Sequence, residues 1–413
     1  VHWRIDYRGG GRASMSIGRN KAAKSGYALY MGDDRQVVHA FDARDGKALW
    51  TVQVYDHQVG RITGSPTLYK DVLYVPLSAA EESQGNVGSY GCCTFNGTVV
   101  AVDVKTGKVK WTQTVIDEKP HPTHPNKAGT QMFGPAGAAI WSAPTIDAKR
   151  KQLYVSTGDS YTEIEHKAAD AIVAMDLATG RIKWINQIKS DDNFMSGAIN
   201  APLGKSGPDY DFGVAPALVK MPNGKQAVIT ANKSDIIYAM DPDTGAMIWQ
   251  SEKLGSGGAN GGFHWGQSTD GKMLYAGLND PPIASGRPGV VAVDIATGKE
   301  VWRHDGKAPE ICNVPSGRCS AGFSASTTTI PGVVFAGDGS GWLYAFDAKD
   351  GRVVWQTDTA QPIDTVNGLK DAPGGSMSMG GPTIAGGMMF VHSGYNGTAG
   401  ANNLLLAFSP GGK

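Results

Sequence analysis

The chain has 413 residues, of which 41% are hydrophobic and 18% charged, with a formal net charge of zero. That balance leaves no electrostatic footprint for nucleic acid or an anionic membrane, and no apolar run approaches the 18 or so residues a membrane helix needs. Abundant glycine (56 residues) with sparse charge leans towards an all-β chain. Length alone suggests two or three domains. With no initiator Met and no signal peptide, Val1 reads as the start of a processed or truncated chain.

From the N-terminus onward one pattern recurs: a short apolar strand, Asp, three residues, Gly, three residues, Trp. Trp3 in VHWRI reads as the tail of such a motif. Full copies follow in HAFDARDGKALW (Asp42, Gly46, Trp50), VAVDVKTGKVKW (Asp103, Gly107, Trp111) and VAMDLATGRIKW (Asp176, Gly180, Trp184). Three more are YAMDPDTGAMIW (Asp241, Gly245, Trp249), VAVDIATGKEVW (Asp294, Gly298, Trp302) and YAFDAKDGRVVW (Asp347, Gly351, Trp355). The C-terminal LLLAFSPGG is a motif head with Ser409 in place of Asp.

Asp accepts backbone N–H groups at the turn, and Gly takes the positive φ the turn needs. Period-2 strands on either side predict a hairpin, and the Trp buries a large area against the next unit. The tryptophans are spaced by 47, 61, 73, 65, 53 and 53 residues, room for four strands plus loops of varying length. Periods of this size mean a solenoid or a propeller, and a propeller closes its ring and protects its edges. The expectation is one all-β domain over 1–413, a β-propeller of four-stranded blades. Seven repeats are visible, and the count becomes eight if an upstream segment is missing.

Between the motifs lie residues with chemical potential. GRITGSP carries Arg61 and Thr63, and YVPLSAAEE carries Glu81 beside Glu82. SYGCCTFNGT holds the adjacent Cys92 and Cys93. Neighbouring Cα atoms on a trans peptide lie about 3.8 Å apart, whereas a relaxed disulfide wants about 4.4–6.8 Å, so structural bridge, redox pair and no bridge all stay open. HPTHPNK (121–127) reads as a Pro-rich rim loop. Of ten tryptophans, Trp141, Trp265 and Trp342 fall outside the repeat slot. YVSTGDSYT brings Asp159 to the place in its repeat that Glu81 has in the one before. GPDYDFGVAPAL offers Asp211 with Asp209 as its local rival, TANKSDIIYAMD offers Lys233, and GGFHWGQ offers His264 and Trp265. Cys312 and Cys319 make a second local pair, and two such pairs suggest an oxidising compartment.

The repeat, the GRITGSPT and SAAEE stretches and the adjacent cysteines together resemble the pyrroloquinoline quinone (PQQ) dehydrogenases. Within them the likeness is to the polyvinyl-alcohol dehydrogenase branch, and it covers essentially the whole chain. The resemblance implies PQQ and Ca²⁺ as cofactors. It implies Glu81 (or Glu82), Asp159 and Asp211 as metal ligands, Asp211 as general base, and Lys233 as the cation at the quinone oxygen. It implies Trp141 as the floor beneath PQQ, Cys92 and Cys93 as a flat lid, Arg61 and Thr63 at the carboxylates, and His264 and Trp265 at the rim. The implied activity is periplasmic oxidation of alcohols, secondary ones with polymeric ones as candidates, by hydride transfer. Electrons would pass to cytochrome c or a quinone acceptor. Three departures stand out: Asp159 where many members have Asn, Asn96 where relatives often have Arg, and Gly213 where lanthanide users carry Asp. The last favours Ca²⁺. The repeat alone is shared by non-catalytic outer-membrane assembly propellers, which is the alternative reading.

Overall fold

The computed structural model describes residues 3–5, 9–204, 206–280, 286–307, 309–311, 313, 319–394 and 404–411. The described residues form two compact units, Val1–Pro216 with Asp243–Ala246, and Ala217–Pro242 with Met247–Lys413. Each is built of antiparallel sheets whose strands follow one another in chain order. The first unit holds three blades, spanning 16–53, 60–114 and 145–187. The second holds four, spanning 217–250, 267–305, 328–358 and 383–408. Six blades have at least four strands and the last has three among the described residues. The fold class is thus the expected one, all-β with seven blades of β-propeller type.

The repeat explains each blade. The motif Asp caps the turn between the third and fourth strands: Asp103 Oδ1 accepts the amides of Lys105 and Thr106, and the Gly107 amide donates to the Asp103 carbonyl at 2.9 Å. The motif glycines have φ from +70° to +75°. A Cβ on any of them would lie closer than 3.0 Å to the indole of the preceding motif's tryptophan. Conformation and space therefore both demand glycine. Trp50 donates its indole N–H to the Val104 carbonyl, Trp111 to Leu177 and Trp302 to Ala348. Trp3 behaves as a motif Trp: it lies over Gly46 and donates to Ala43.

One repeated residue escaped the motif as read. Each full copy has Ala two positions before its Asp, directly opposite the Trp, as in Ala101↔Trp111 and Ala174↔Trp184. A bulge follows immediately, between Ala101 and Val102 and between Ala174 and Met175. The small side chain leaves room for the indole, and the bulge turns the strand into the tight loop.

The middle strands are buried on both faces, as in Val72–Ala79 and Thr98–Asp103. Successive residues feed different clusters. Val100 and Val102 join the core with Tyr30 and Val38 of the first blade. Val99 and Ala101 join the core with Leu153 and Val173 of the third. Fourth strands such as Val109–Thr114 stay largely exposed. The Pro-rich stretch expected as a rim loop is instead a hairpin, His121–Pro125 paired with Gln131–Gly134. Asn126 closes its turn by accepting the amides of Ala128 and Thr130. No helix among the described residues is long and apolar enough to cross a membrane.

Candidate active site

Asp159 follows the second strand of the third blade, Gln152–Ser156. Asp209 and Asp211 lie on the segment leading from that blade to the next. The three carboxylates are 1%, 2% and 5% exposed, and each offers an oxygen within 4.8 Å of the others. Asp211 Oδ1 accepts the Asp159 amide at 2.7 Å. Gly158 permits that approach, because a Cβ there would collide with the Asp211 carboxylate. Both carboxylate oxygens of Asp159 lack a hydrogen-bond partner among the described residues. Burial first, and then the neighbouring Asp211, Glu82, Asp209 and Asp170, push its pKa well above the usual carboxylate range. Buried acids this close oppose one another's ionisation unless a cation joins them.

The loop bearing Asp209 and Asp211 has an anchor that no sequence motif marks. Asp192 accepts the Asp209 amide at 2.9 Å and the Tyr210 amide at 2.7 Å. It sits in an ordinary-looking acidic pair, Asp191–Asp192, with no motif to mark it.

Glu81 and Glu82 part company. Glu81 is fully buried, and its carboxylate accepts the Thr94 and Phe95 amides and the Tyr90 hydroxyl. His57 Nε2 lies 3.6 Å from it and 3.0 Å from Thr94 Oγ1. Burial holds the His57 imidazole below its ordinary pKa. Glu81 therefore ties down the segment that carries the cysteines. Glu82 is half-buried, accepts the Ser196 hydroxyl at 2.9 Å, and acts electrostatically on Asp159.

Cys92 and Cys93 form a disulfide across a cis peptide, with Cα atoms 3.0 Å apart. The Cys93 amide donates to the Phe133 carbonyl and the Phe133 amide to the Cys92 carbonyl, so the hairpin clamps the pair. Glu81 and the two sulfurs lie close together. Disulfide sulfur has no thiolate to offer a metal, so that grouping is not a metal site. Trp141 is half-buried and packs on the cluster that contains Cys92, Cys93 and Tyr161.

A family model described as the glucose/ethanol/alcohol dehydrogenase β-propeller domain (PQQ) matches residues 60–255, the stretch that holds the acids, the cysteines and Trp141. A second, for outer membrane protein assembly factor BamB, matches 232–316 and 286–410. A polyvinylalcohol dehydrogenase from a Pseudomonas species is 41% identical over 430 residues, covering 100% of this chain and 66% of the relative. One from a Sphingopyxis strain is 38% identical over 438 residues, with the same coverage. The chain belongs to the PQQ-dependent dehydrogenase family. It spans 66% of the length of each of these two relatives. A europium-containing methanol dehydrogenase superposes with a TM-score of 0.62 at 18% identity, covering 89% of this chain and 71% of that one, a likeness of fold.

The other residues expected of a PQQ-dependent dehydrogenase take these places. Arg61 pairs with Ser78 through a short strand and lines a cavity of about 330 Å³ with Arg12, Gln58 and Gln84. Thr63 is buried, and its Oγ1 accepts the Ser78 hydroxyl at 2.8 Å. In the second unit, Lys233 is buried on the turn after Gln226–Ala231. His264 Nδ1 meets Ser324 Oγ at 3.1 Å, and His264 and Trp265 are both half-buried. Asn96 is buried with its Oδ1 unpartnered among the described residues. Cys319 is disulfide-bonded, and Cys312 lies outside the described residues.

The acid trio fits a metal ion on its own terms. Hard carboxylate oxygens, two of them without partners, are what Ca²⁺ takes. For the quinone, the half-buried indole of Trp141 and the two arginines at the cavity supply a flat apolar face and cations for carboxylates.

Proposed function

We propose that the complete protein is a PQQ- and Ca²⁺-dependent alcohol dehydrogenase acting on secondary alcohols, with polymeric ones as candidates. The observation that carries this is the convergence of Asp159, Asp209 and Asp211, with the Asp159 carboxylate unpartnered among the described residues, in a chain 41% identical over its whole length to a polyvinylalcohol dehydrogenase. When bound, PQQ supplies an acceptor for hydride and Ca²⁺ a Lewis acid.

The chain's own residues do the rest. Asp159 and Asp211 hold the metal, with Asp209 at hand and Glu81 or Glu82 as a further ligand. The Asp211 carboxylate takes the proton of the substrate hydroxyl. Its Oδ1 accepts the Asp159 amide, which fixes the carboxylate in place. Trp141 and the Cys92–Cys93 ring bind the flat faces of the cofactor, Arg61 and Thr63 its carboxylates, and His264 and Trp265 its rim. Lys233 would supply positive charge beside the bound quinone. Cytochrome c or a quinone acceptor in the periplasm would take the electrons.

The test is reconstitution of the complete protein with PQQ and Ca²⁺, followed by alcohol-dependent dye reduction. Titration with PQQ, followed by the absorbance of bound quinone, separates this reading from that of an assembly-factor scaffold. A scaffold would leave the quinone spectrum unchanged.

A further inference from the structure

Lys233 sits under an arch of backbone, residues 254–262, that is rich in glycine. The Gly258 amide donates to the Lys233 carbonyl at 2.9 Å. A Cβ on Gly262 would collide with the Lys233 Cα, so the arch lies directly on the lysine's backbone. Two buried acids hold the arch. Asp235, 0% exposed, accepts the Gly257 amide on Oδ2 at 2.5 Å, and its carbonyl accepts the Leu254 amide. Asp280, 1% exposed, accepts the amides of Ser256 and Arg287 on Oδ2, both at 2.7 Å, and lies 3.4 Å from the Gly257 amide through Oδ1.

The two carboxyls meet. A Cβ on Gly255 would stand 2.5 Å from the Oδ2 atoms of both, so the two carboxyls face one another across that absent side chain. Two carboxylates cannot share a hydrogen bond without a proton between them. Asp280 spends its oxygens on three backbone amides, which suits the ionised form. Asp235 Oδ1 has no partner among the described residues, which a neutral acid tolerates and a buried anion does not.

We infer that Asp235 and Asp280 share one proton, that this proton-bridged pair pins the 254–262 arch, and that the arch in turn positions Lys233. Both acids are positioning residues, and neither touches substrate. Among the described residues, three basic side chains or their backbones bear on the pair and its arch. Lys253 acts on Asp235 from the start of the arch, Arg287 contributes its backbone amide to Asp280, and the Arg303 guanidinium grips the Leu254 carbonyl at 2.6 Å.

The sign of the pH effect follows from the proton. Burial, and then the proximity of the Asp280 carboxylate, raise Asp235 from an ordinary 3.8 to about 8. With the arch open, Asp235 ionises as an ordinary acid. Opening therefore becomes easier by up to ~10-fold per pH unit from about 4 to about 8, and no easier beyond.

The link to Lys233 rests on the PQQ reading for its purpose, but the measurement does not. Amide hydrogen exchange across 254–262 is read on the complete protein without added PQQ, as protection factors corrected for intrinsic rates. Wild type should lose at least ~10-fold in protection between about pH 5.5 and about pH 7.5. Asp235→Asn keeps one donor and one acceptor and should flatten that profile. Asp280→Asn, which removes the anionic partner, should flatten it too and serves if the first variant does not fold. In parallel, Lys233 modification by an amine-directed reagent, taken as the ratio of wild type to Asp235→Asn, should rise over the same window. A profile equally steep in wild type and variant overturns the shared proton. A constant Lys233 ratio overturns the positioning. Loss of quinone binding at every pH in wild type would instead strike the cofactor reading.

Discussion

Asp159 carries opposite demands with and without a cation, and that makes it the sharpest residue to change. Its two oxygens accept nothing from the described residues and face two other acids. Asp159→Asn should therefore raise the melting temperature in chelator, by relieving a buried charge. The same variant should weaken Ca²⁺ binding at least ~10-fold by calorimetric titration. A fall in both would mark Asp159 as a plain structural acid. The choice between Glu81 and Glu82 was not legible in the sequence, because adjacent residues after a strand point in different directions. Only the fold shows Glu81 turned to the Thr94 and Phe95 amides and Glu82 acting on Asp159. A position after the second strand does not by itself mark a ligand. Asp338 also follows a second strand, in the sixth blade, but two positions earlier in register than Asp159, and it spends its carboxylate on the Ser340 and Trp342 amides. Burial pushes Asp338 from 3.8 up to about 7. The native state then holds that proton more tightly than the unfolded chain, so stability falls as pH rises from about 4 to about 7 and is flat above. Asp338→Asn should flatten that slope, a difference of at most about 4 kcal/mol read from denaturant midpoints across that window.

At the scale of the element, the hairpin turn of the repeat is the unit that specifies the blade. Gly180 has φ +75° and the Trp111 ring against it, whereas Gly129, at φ +87° in the rim hairpin, has no atom near its absent Cβ. Gly129→Ala should cost only backbone strain, about 1 kcal/mol. Gly180→Ala adds displacement of the indole and should cost about 2–4 kcal/mol in urea unfolding. Equal costs would mean that the Trp does not brace the turn. The Asp, Gly and Trp of this unit were readable because each acts within eight residues of the others. The Ala opposite each Trp was overlooked, since its reason lies across the sheet in a register that no spacing displays. The rim hairpin was missed because prolines at 122 and 125 break the alternation by which strands are recognised.

In the whole molecule a buried cation would serve both stability and chemistry. Ca²⁺ at about 100 times its dissociation constant should stabilise the native protein by about 2.7 kcal/mol, and chelator should reverse the gain. The measurement that bears most directly on the central claim is alcohol-dependent dye reduction by the complete protein, with and without PQQ and Ca²⁺, in wild type and in Asp211→Asn. Turnover of a secondary alcohol is expected only when both cofactors are present, with a loss of at least ~100-fold in the variant with PQQ still bound. Turnover without PQQ, or full activity in Asp211→Asn, would contradict it.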